Sequence, residues 1–272
     1  MEPDYASQGI DLDRPNAART YDWALGGTAN WAIDREYGVQ ALKAYPLLRE
    51  ATHANRAFLG RAVRHCLAEG ITQFLDLGSG VPTMRNVHEV ADEVNPDSRC
   101  VYVDIEPVAV AHARLLLAKN GDPDRHAVLH ANLCHAEEVW DAAFDTGVLD
   151  PGKPIGLLTV AVLHFLPDST GVREAMQAYR ELLPSGSRYV LSHISPADVD
   201  EIEQDQLKNL EKVSKQSSTP GVLRNRDELM AFFGTLELLD PGLVPVEQWQ
   251  PDPTDDPDVA VRAALGGVAL KR

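Results

Sequence analysis

The chain has 272 residues, of which 44% are apolar and 24% charged, and 25 Lys and Arg against 41 Asp and Glu leave a formal charge of −16. Such a chain buries an ample core in one large α/β domain, with or without a helical extension, and is neither disordered nor fibrous. Its summed field repels phosphate backbones and anionic membrane surfaces, and no basic cluster with interleaved aromatics offsets it, which argues against nucleic acid or membrane as a partner and for a neutral or cationic small molecule.

Met1 is followed by acidic and polar residues rather than by a basic, apolar run, and no apolar stretch approaches the roughly 20 residues of a membrane-spanning helix. Cys66, Cys100 and Cys134 are too few and too far apart for a disulfide framework or a zinc site. A soluble, cytoplasmic protein with no bound metal is expected. Its oligomeric state has no signature in the residues.

Residues 15–69 carry good helix formers broken by Gly26-Gly27 and Pro46, which predicts three helices. The last, from about Thr52, sets Ala54, Phe58, Ala62 and Cys66 on one face with Arg56, Arg61 and Arg64 elsewhere, and ends at Gly70. The rhythm then changes to alternating strands and helices. A strand at 72–77 ends in Gly78-Ser79-Gly80 and leads into a helix running to about Val94. A strand at 100–104 precedes a helix over 107–119, with Pro107 suited to its first turn. A strand at 127–131 and a helix over 137–144 follow. The run 155–162 is nearly all apolar, as a parallel strand buried on both faces should be. After it come a helix over 169–183, a strand at 188–193, a charged helix over 197–215, a helix over 227–233 and a strand at 236–239. The Pro- and Asp-rich stretch 251–257 reads as a surface excursion, and 264–270 as an antiparallel edge strand. The expectation is a Rossmann-like, doubly wound, mostly parallel sheet of seven strands, 71–272, with an N-terminal helical cap, 1–70.

In such sheets ligands bind at the carboxyl ends of the strands, where the strand order reverses. Gly78 and Gly80 let the loop after the first strand approach a ligand closely, Ser79 lies between them, and the following helix is expected to offer N–H groups to a carboxylate or phosphate. Thr83 stands where a dinucleotide fingerprint needs a third Gly or Ala, so an adenosine ligand without a pyrophosphate fits better than NAD. Asp104 ends the second strand 24 residues beyond Gly80, placed either to accept from ribose hydroxyls or to cap the next helix, with Glu106 as the fallback. Ile105 beside it and Ala161 near the end of the fourth strand are expected to flank the same crevice. Asn132 either hydrogen-bonds the edge of an adenine, with Leu133 on the ring, or caps a helix. His164 follows the fourth strand and is either a base for an oxygen or nitrogen nucleophile or a structural histidine.

Phe74-Leu75-Asp76-Leu77-Gly78-Ser79-Gly80, Val103-Asp104 and Leu163-His164-Phe165-Leu166 resemble the motifs of class I S-adenosylmethionine-dependent methyltransferases, whose acid two residues before the first glycine corresponds to Asp76. More specifically, Arg14-Pro15-Asn16-Ala17-Ala18-Arg19-Thr20-Tyr21-Asp22-Trp23-Ala24-Leu25-Gly26-Gly27-Thr28-Ala29-Asn30, Asn55-Arg56-Ala57-Phe58 and Gly80-Val81-Pro82-Thr83 are similar to a family of predicted methyltransferases abundant in actinobacteria, with a generally unassigned acceptor. The chain departs from the general class in having Pro82 for a third glycine and Asn132 for the usual Asp. The resemblance implies S-adenosylmethionine as cofactor, a small-molecule acceptor, and helices folded over the cofactor. Tyr21, Asp22, Gly26, Gly27, Asn30 and Thr83 then become pocket candidates, Tyr21, Trp23 and Trp31 can attract a sulfonium through their ring faces, and Arg56 can pair with the methionine carboxylate or with Asp22 or Glu50. In-line displacement then needs alignment and exclusion of water, with His164 as a base if the acceptor is a hydroxyl. A noncatalytic protein that senses the cofactor and an NAD-dependent oxidoreductase are the competing readings.

Overall fold

The structure, a computed structural model, describes residue 11, residues 13–252 and residues 261–272. The part of the expected surface excursion from residue 253 onward lies outside the described residues. Parallel strands β1 (Gln73–Leu77), β2 (Arg99–Asp104), β3 (His126–His130), β4 (Gly156–Val160) and β5 (Arg188–Ile194) are joined by antiparallel β8 (Ala264–Leu270) and the short β6 (Glu237–Leu238) and β7 (Val244–Pro245). The order is β3-β2-β1-β4-β5-β8-β6, with β7 paired to β8, so it reverses between β1 and β4. Seven strands were expected; the eighth, β7, has two residues, one of them a proline, and offers no alternating pattern to read.

The helices are α1 (Ala17–Ala24), α2 (Ala32–Ala44), α3 (Leu48–Ala68), α4 (Val87–Val94), α5 (Pro107–Asn120), α6 (Ala136–Asp145), α7 (Val172–Leu182), α8 (Glu201–Ser214) and α9 (Arg226–Phe233). The period of two along each strand decides the layers. Leu75, Leu77, Val101, Val103 and Leu157 meet Trp140 of α6, Met176 and Tyr179 of α7 and Phe232 of α9 on one face. Phe74, Cys100, Leu158 and Val190 meet Phe58, Val63 and Cys66 of α3 and Val90 of α4 on the other. Asp76 has the parity of Phe74 and therefore faces α3.

Helix α3 is a layer of the core, and burying side chains such as Phe58 and Val63 in it contributes about 1.5–3 kcal/mol each. The core does not divide at residue 70. Arg61, read from the sequence as lying off the apolar face, is buried too, with Nε and Nη2 donating to the carbonyls of Trp249 and Val246 at 3.0 and 2.6 Å. The loop after β1 does not run straight into a helix: α4 starts only at Val87, behind Pro82, Arg85 at φ +48° and the capping residue Asn86. Pro82 has no N–H to give and a fixed φ, which lengthens the loop.

Candidate functional site

Beyond β1 the chain turns through Gly78 at φ +71° and Gly80 at φ +66°. A Cβ on Gly78 would lie 2.1 Å from Val162 Cγ2, so this turn needs glycine. The N–H groups of Gly78 and Ser79 donate to the Val103 carbonyl at 2.8 and 3.1 Å, and that of Gly80 donates to Asp104 Oδ2 at 2.7 Å. Asp104 Oδ1 accepts from the Glu106 N–H at 2.8 Å. The acid at the tip of β2 thus ties down both loops, and it is buried rather than solvent-facing. All three loop amides are engaged inside the protein and α4 begins further on. These three amides therefore offer no free N–H to a phosphate or carboxylate.

A crevice of about 310 Å³ opens over these strand tips. Asp76, Gly78, Ser79, Gly80, Asp104, Ile105, Asn132, Leu133 and Ala161 line it from the sheet side, and Tyr21 and Arg56 from α1 and α3. Burial pushes the Asp76 carboxyl up to about 7, with the Arg56 cation opposing that rise and Asp104 adding to it. Asp104 is also raised by burial, against the pull of the Glu106 and Gly80 N–H groups. Asn132 Oδ1 accepts from the Cys134 N–H at 3.0 Å, closing a local turn, and the cap of α6 is His135 instead. Arg56 forms no ion pair with Asp22 or Glu50. Its Nε is buried without a hydrogen-bond partner, and its guanidinium lies 5.6 Å from the Tyr21 ring centroid.

Gly27, Asn30 and Thr83 do not line the crevice. They meet at Asp22, which is 2% exposed and accepts from Thr83 Oγ1 and Asn30 Nδ2, both at 2.7 Å. Asn30 also donates to the Gly27 carbonyl at 2.9 Å, and a Cβ on Gly27 would strike Asp22 at 1.9 Å. This cluster fastens α1 to the loop after β1. The faces of Trp23 and Trp31 are covered by Arg49 at 4.4 Å and Arg19 at 4.6 Å, which leaves Tyr21 as the aromatic of the three that lines the crevice. Glu106 reaches the crevice, yet Arg19 Nη1 and Asn16 Nδ2 donate to its two oxygens at 3.0 and 2.8 Å. Arg19, fully buried, also pairs with Asp34 of α2 at 2.9 Å and so holds the N-terminal helices on the tip of β2.

A second cavity, of about 150 Å³, shares Ala17, Tyr21, Asn55, Ala161, Phe165 and Thr219 with the crevice. Asn55 Nδ2 donates to the Tyr21 hydroxyl at 2.9 Å and Ser192 Oγ donates to Asn55 Oδ1 at 2.5 Å. Ser192 Oγ in turn accepts from the N–H of Ala161, a non-glycine residue at φ +56°. His164 lines this cavity rather than the crevice. Burial, with Arg224 nearby, pushes its imidazole down to about 3, a poor match to proton abstraction near neutral pH. Asn55, Ser192 and Arg224 were not among the expected site residues. Asn55 lay beside Arg56 in a noted motif; Ser192 and Arg224 carried no local signal.

Residues 3–272 match the model of a family described as S-adenosyl methyltransferase. Among solved structures, a protein of Thermobifida fusca YX assigned provisionally to the methyltransferases is 36% identical, with 99% of this chain and 100% of that one covered and a TM-score of 0.86. A DUF574 family protein of Streptomyces avermitilis MA-4680 is 33% identical over 97% and 100% of the two chains, with a TM-score of 0.87. A mitomycin 7-O-methyltransferase, at 15% identity and a TM-score of 0.53 over 93% and 68% of the two chains, shares the fold. No curated protein matches the sequence.

Proposed function

Because the chain belongs to the S-adenosyl methyltransferase family, we propose that it moves the methyl group of S-adenosylmethionine to a small-molecule acceptor by in-line displacement, with the cofactor in the crevice over β1 to β4. The observation that carries this reading is the pairing of engaged loop amides with acids at the tips of β1 and β2. Such a crevice has the amides of its glycine turn already engaged, unlike a pyrophosphate-binding loop, and offers acceptors suited to a ribose. The unpartnered Nε of Arg56 adds a place for a carboxylate. Those two features together fit a nucleoside that carries an amino acid and no phosphate.

The bound cofactor supplies an electrophilic methyl carbon on a sulfonium. The residues supply position. Asp104 would accept from the ribose hydroxyls while still holding Gly80 and Glu106, since a carboxylate has about four acceptor sites. Arg56 would hold the methionine carboxylate, and Ile105, Leu133 and the Asn132 amide the adenine. The Tyr21 ring, at the wall between crevice and cavity, would face the sulfonium. In-line displacement requires no nucleophilic side chain, only alignment and a dry site. The fastened N-terminal helices serve that exclusion of water.

The test is release of S-adenosylhomocysteine from S-adenosylmethionine in the presence of a panel of neutral small molecules. Acceptor-dependent release is expected. Tight cofactor binding with release on addition of RNA or protein alone would overturn the small-molecule assignment.

A further inference from the structure

The second cavity carries polar atoms that the protein leaves unsatisfied. Thr20 Oγ1 and His164 Nδ1 are buried in its wall without a hydrogen-bond partner, and Thr20 is only 8% exposed. Tyr37, on the same wall, makes no hydrogen bond among the described residues. Buried polar groups are nearly always paired, so the two left alone at this cavity, with the half-buried Tyr37 hydroxyl beside them, mark where the polar groups of a ligand would be met. The remaining polar groups are already satisfied. Ser214 Oγ donates to the Glu211 carbonyl at 2.7 Å, and Arg224 Nη1 donates to His193 Nε2 at 3.1 Å.

The rest of the wall is apolar, with Ala24, Ala41, Ala51, Leu48, Leu207 and Leu210 from four helices. A dry apolar cavity of about 150 Å³ accepts one benzene ring, which is the volume found here. No Lys or Arg lines it, and the carboxylate of Glu211 does, so an anion would meet a like charge with no counter-ion. A cation would lose its water to a wall of alanine and leucine with Arg224 close behind.

We propose that this cavity is the acceptor site and that it selects an uncharged molecule of one six-membered ring bearing a hydroxyl or neutral amine. Its ring lies against the alanine and leucine wall, and its polar groups meet His164, Thr20 and Tyr37. The lining shared with the crevice, including Tyr21, Asn55 and Ala161, sets the two spaces side by side, so that an acceptor in this cavity adjoins the cofactor. His164 acts here as an uncharged hydrogen-bonding group that positions the acceptor. This assignment rests on the methyltransferase reading, because it takes the crevice to hold the cofactor.

The experiment is calorimetric titration of the S-adenosylhomocysteine complex with phenol, benzoate, benzylammonium and 2-naphthol. Phenol is expected to bind, and the two ions and the two-ring compound to bind about tenfold or more weakly, the cost of an unpaired buried charge or an overfilled cavity. In His164→Phe, phenol affinity should fall about tenfold, the effect of one lost hydrogen bond in a buried site, with S-adenosylhomocysteine affinity unchanged. Leu210→Trp fills the cavity and should abolish phenol binding while the cofactor product still binds. If S-adenosylhomocysteine binds but phenol does not, or if benzoate or benzylammonium binds more tightly than phenol, the acceptor class is wrong and the methyltransferase reading stands. If S-adenosylhomocysteine itself fails to bind, both fall.

Discussion

The crevice over the strand tips is walled by acidic side chains, an arginine and loop backbone, whereas the cavity beyond Tyr21 and Ala161 is walled largely by alanine and leucine with two buried unsatisfied polar atoms. Desolvation acts on both, with opposite signs. It raises Asp76 in the first and lowers His164 in the second, so each site favours its uncharged form. The difference lies in what each can offer a ligand. The crevice has charges of both signs in reach, suited to a zwitterionic cofactor, and the cavity has hydrogen bonds and apolar area, suited to a neutral acceptor.

The largest test of that contrast is the dependence of stability on pH. Asp76 ionises near 7 when folded and near 3.8 otherwise. The unfolded chain therefore releases that proton first, and stability falls as pH rises between those values. His164 takes up a proton near 3 when folded and near 6.5 otherwise, so the unfolded chain gains it first and stability falls as pH drops from 6.5 toward 3. The two effects are worth up to about 4 and about 5 kcal/mol, respectively, at full development. The two windows overlap between 3.8 and 6.5, where the slopes oppose and cancel in the native chain. Denaturant melts should therefore show Asp76→Asn leaving a stability that rises with pH from about 3 to 6.5 and His164→Phe one that falls from 3.8 to about 7; if both variants shift the profile in the same direction, the contrast fails.

The next effect is smaller and confined to the crevice. Asp104→Ala removes an acceptor for the Gly80 and Glu106 N–H groups and for the ribose, and should weaken S-adenosylhomocysteine binding by about 1.5–3 kcal/mol. Unchanged affinity by calorimetry would remove Asp104 from the cofactor site. Arg56→Ala should weaken that ligand by about 1.5 kcal/mol, one charge-assisted bond, and leave methylthioadenosine, which lacks the carboxylate, unaffected. An equal loss for both ligands would reject the pairing.

The smallest effect separates fastening from binding. Thr83→Val deletes the 2.7 Å bond to Asp22, and should lower stability by about 1 kcal/mol without changing cofactor affinity, since Thr83 does not line the crevice. A thermal melt beside the same titration checks both halves, and a binding defect at full stability would return Thr83 to the cofactor site.

Much of the crevice was legible because its parts are local. A strand, a glycine turn and an acid at the next strand tip occupy short contiguous runs, and once β1 and β2 pair in parallel register their ends must meet. Asp76, Gly78, Gly80 and Asp104 could thus be placed from spacing. Thr83, Gly27 and Asn30 were misplaced beside them because their partner is Asp22, and only packing of α1 on the loop brings those four together. The expected N–H donors failed for a similar reason: whether a loop amide is free depends on a carbonyl of the neighbouring strand, here Val103.

By itself the sequence determined the strand and helix alternation, the mostly parallel sheet and the polar crevice, since hydrophobic period and turn chemistry act over a few neighbouring residues. Tertiary structure alone decided the second cavity, whose wall draws on α1, α2, α3, α8 and the end of β5. The bond between Ser192 and Asn55 spans 137 positions, and no local pattern encodes a contact at that separation. Such contacts follow from how amphipathic faces bury one another, and it is this burial that holds His164 uncharged and sets the size of the space beside it.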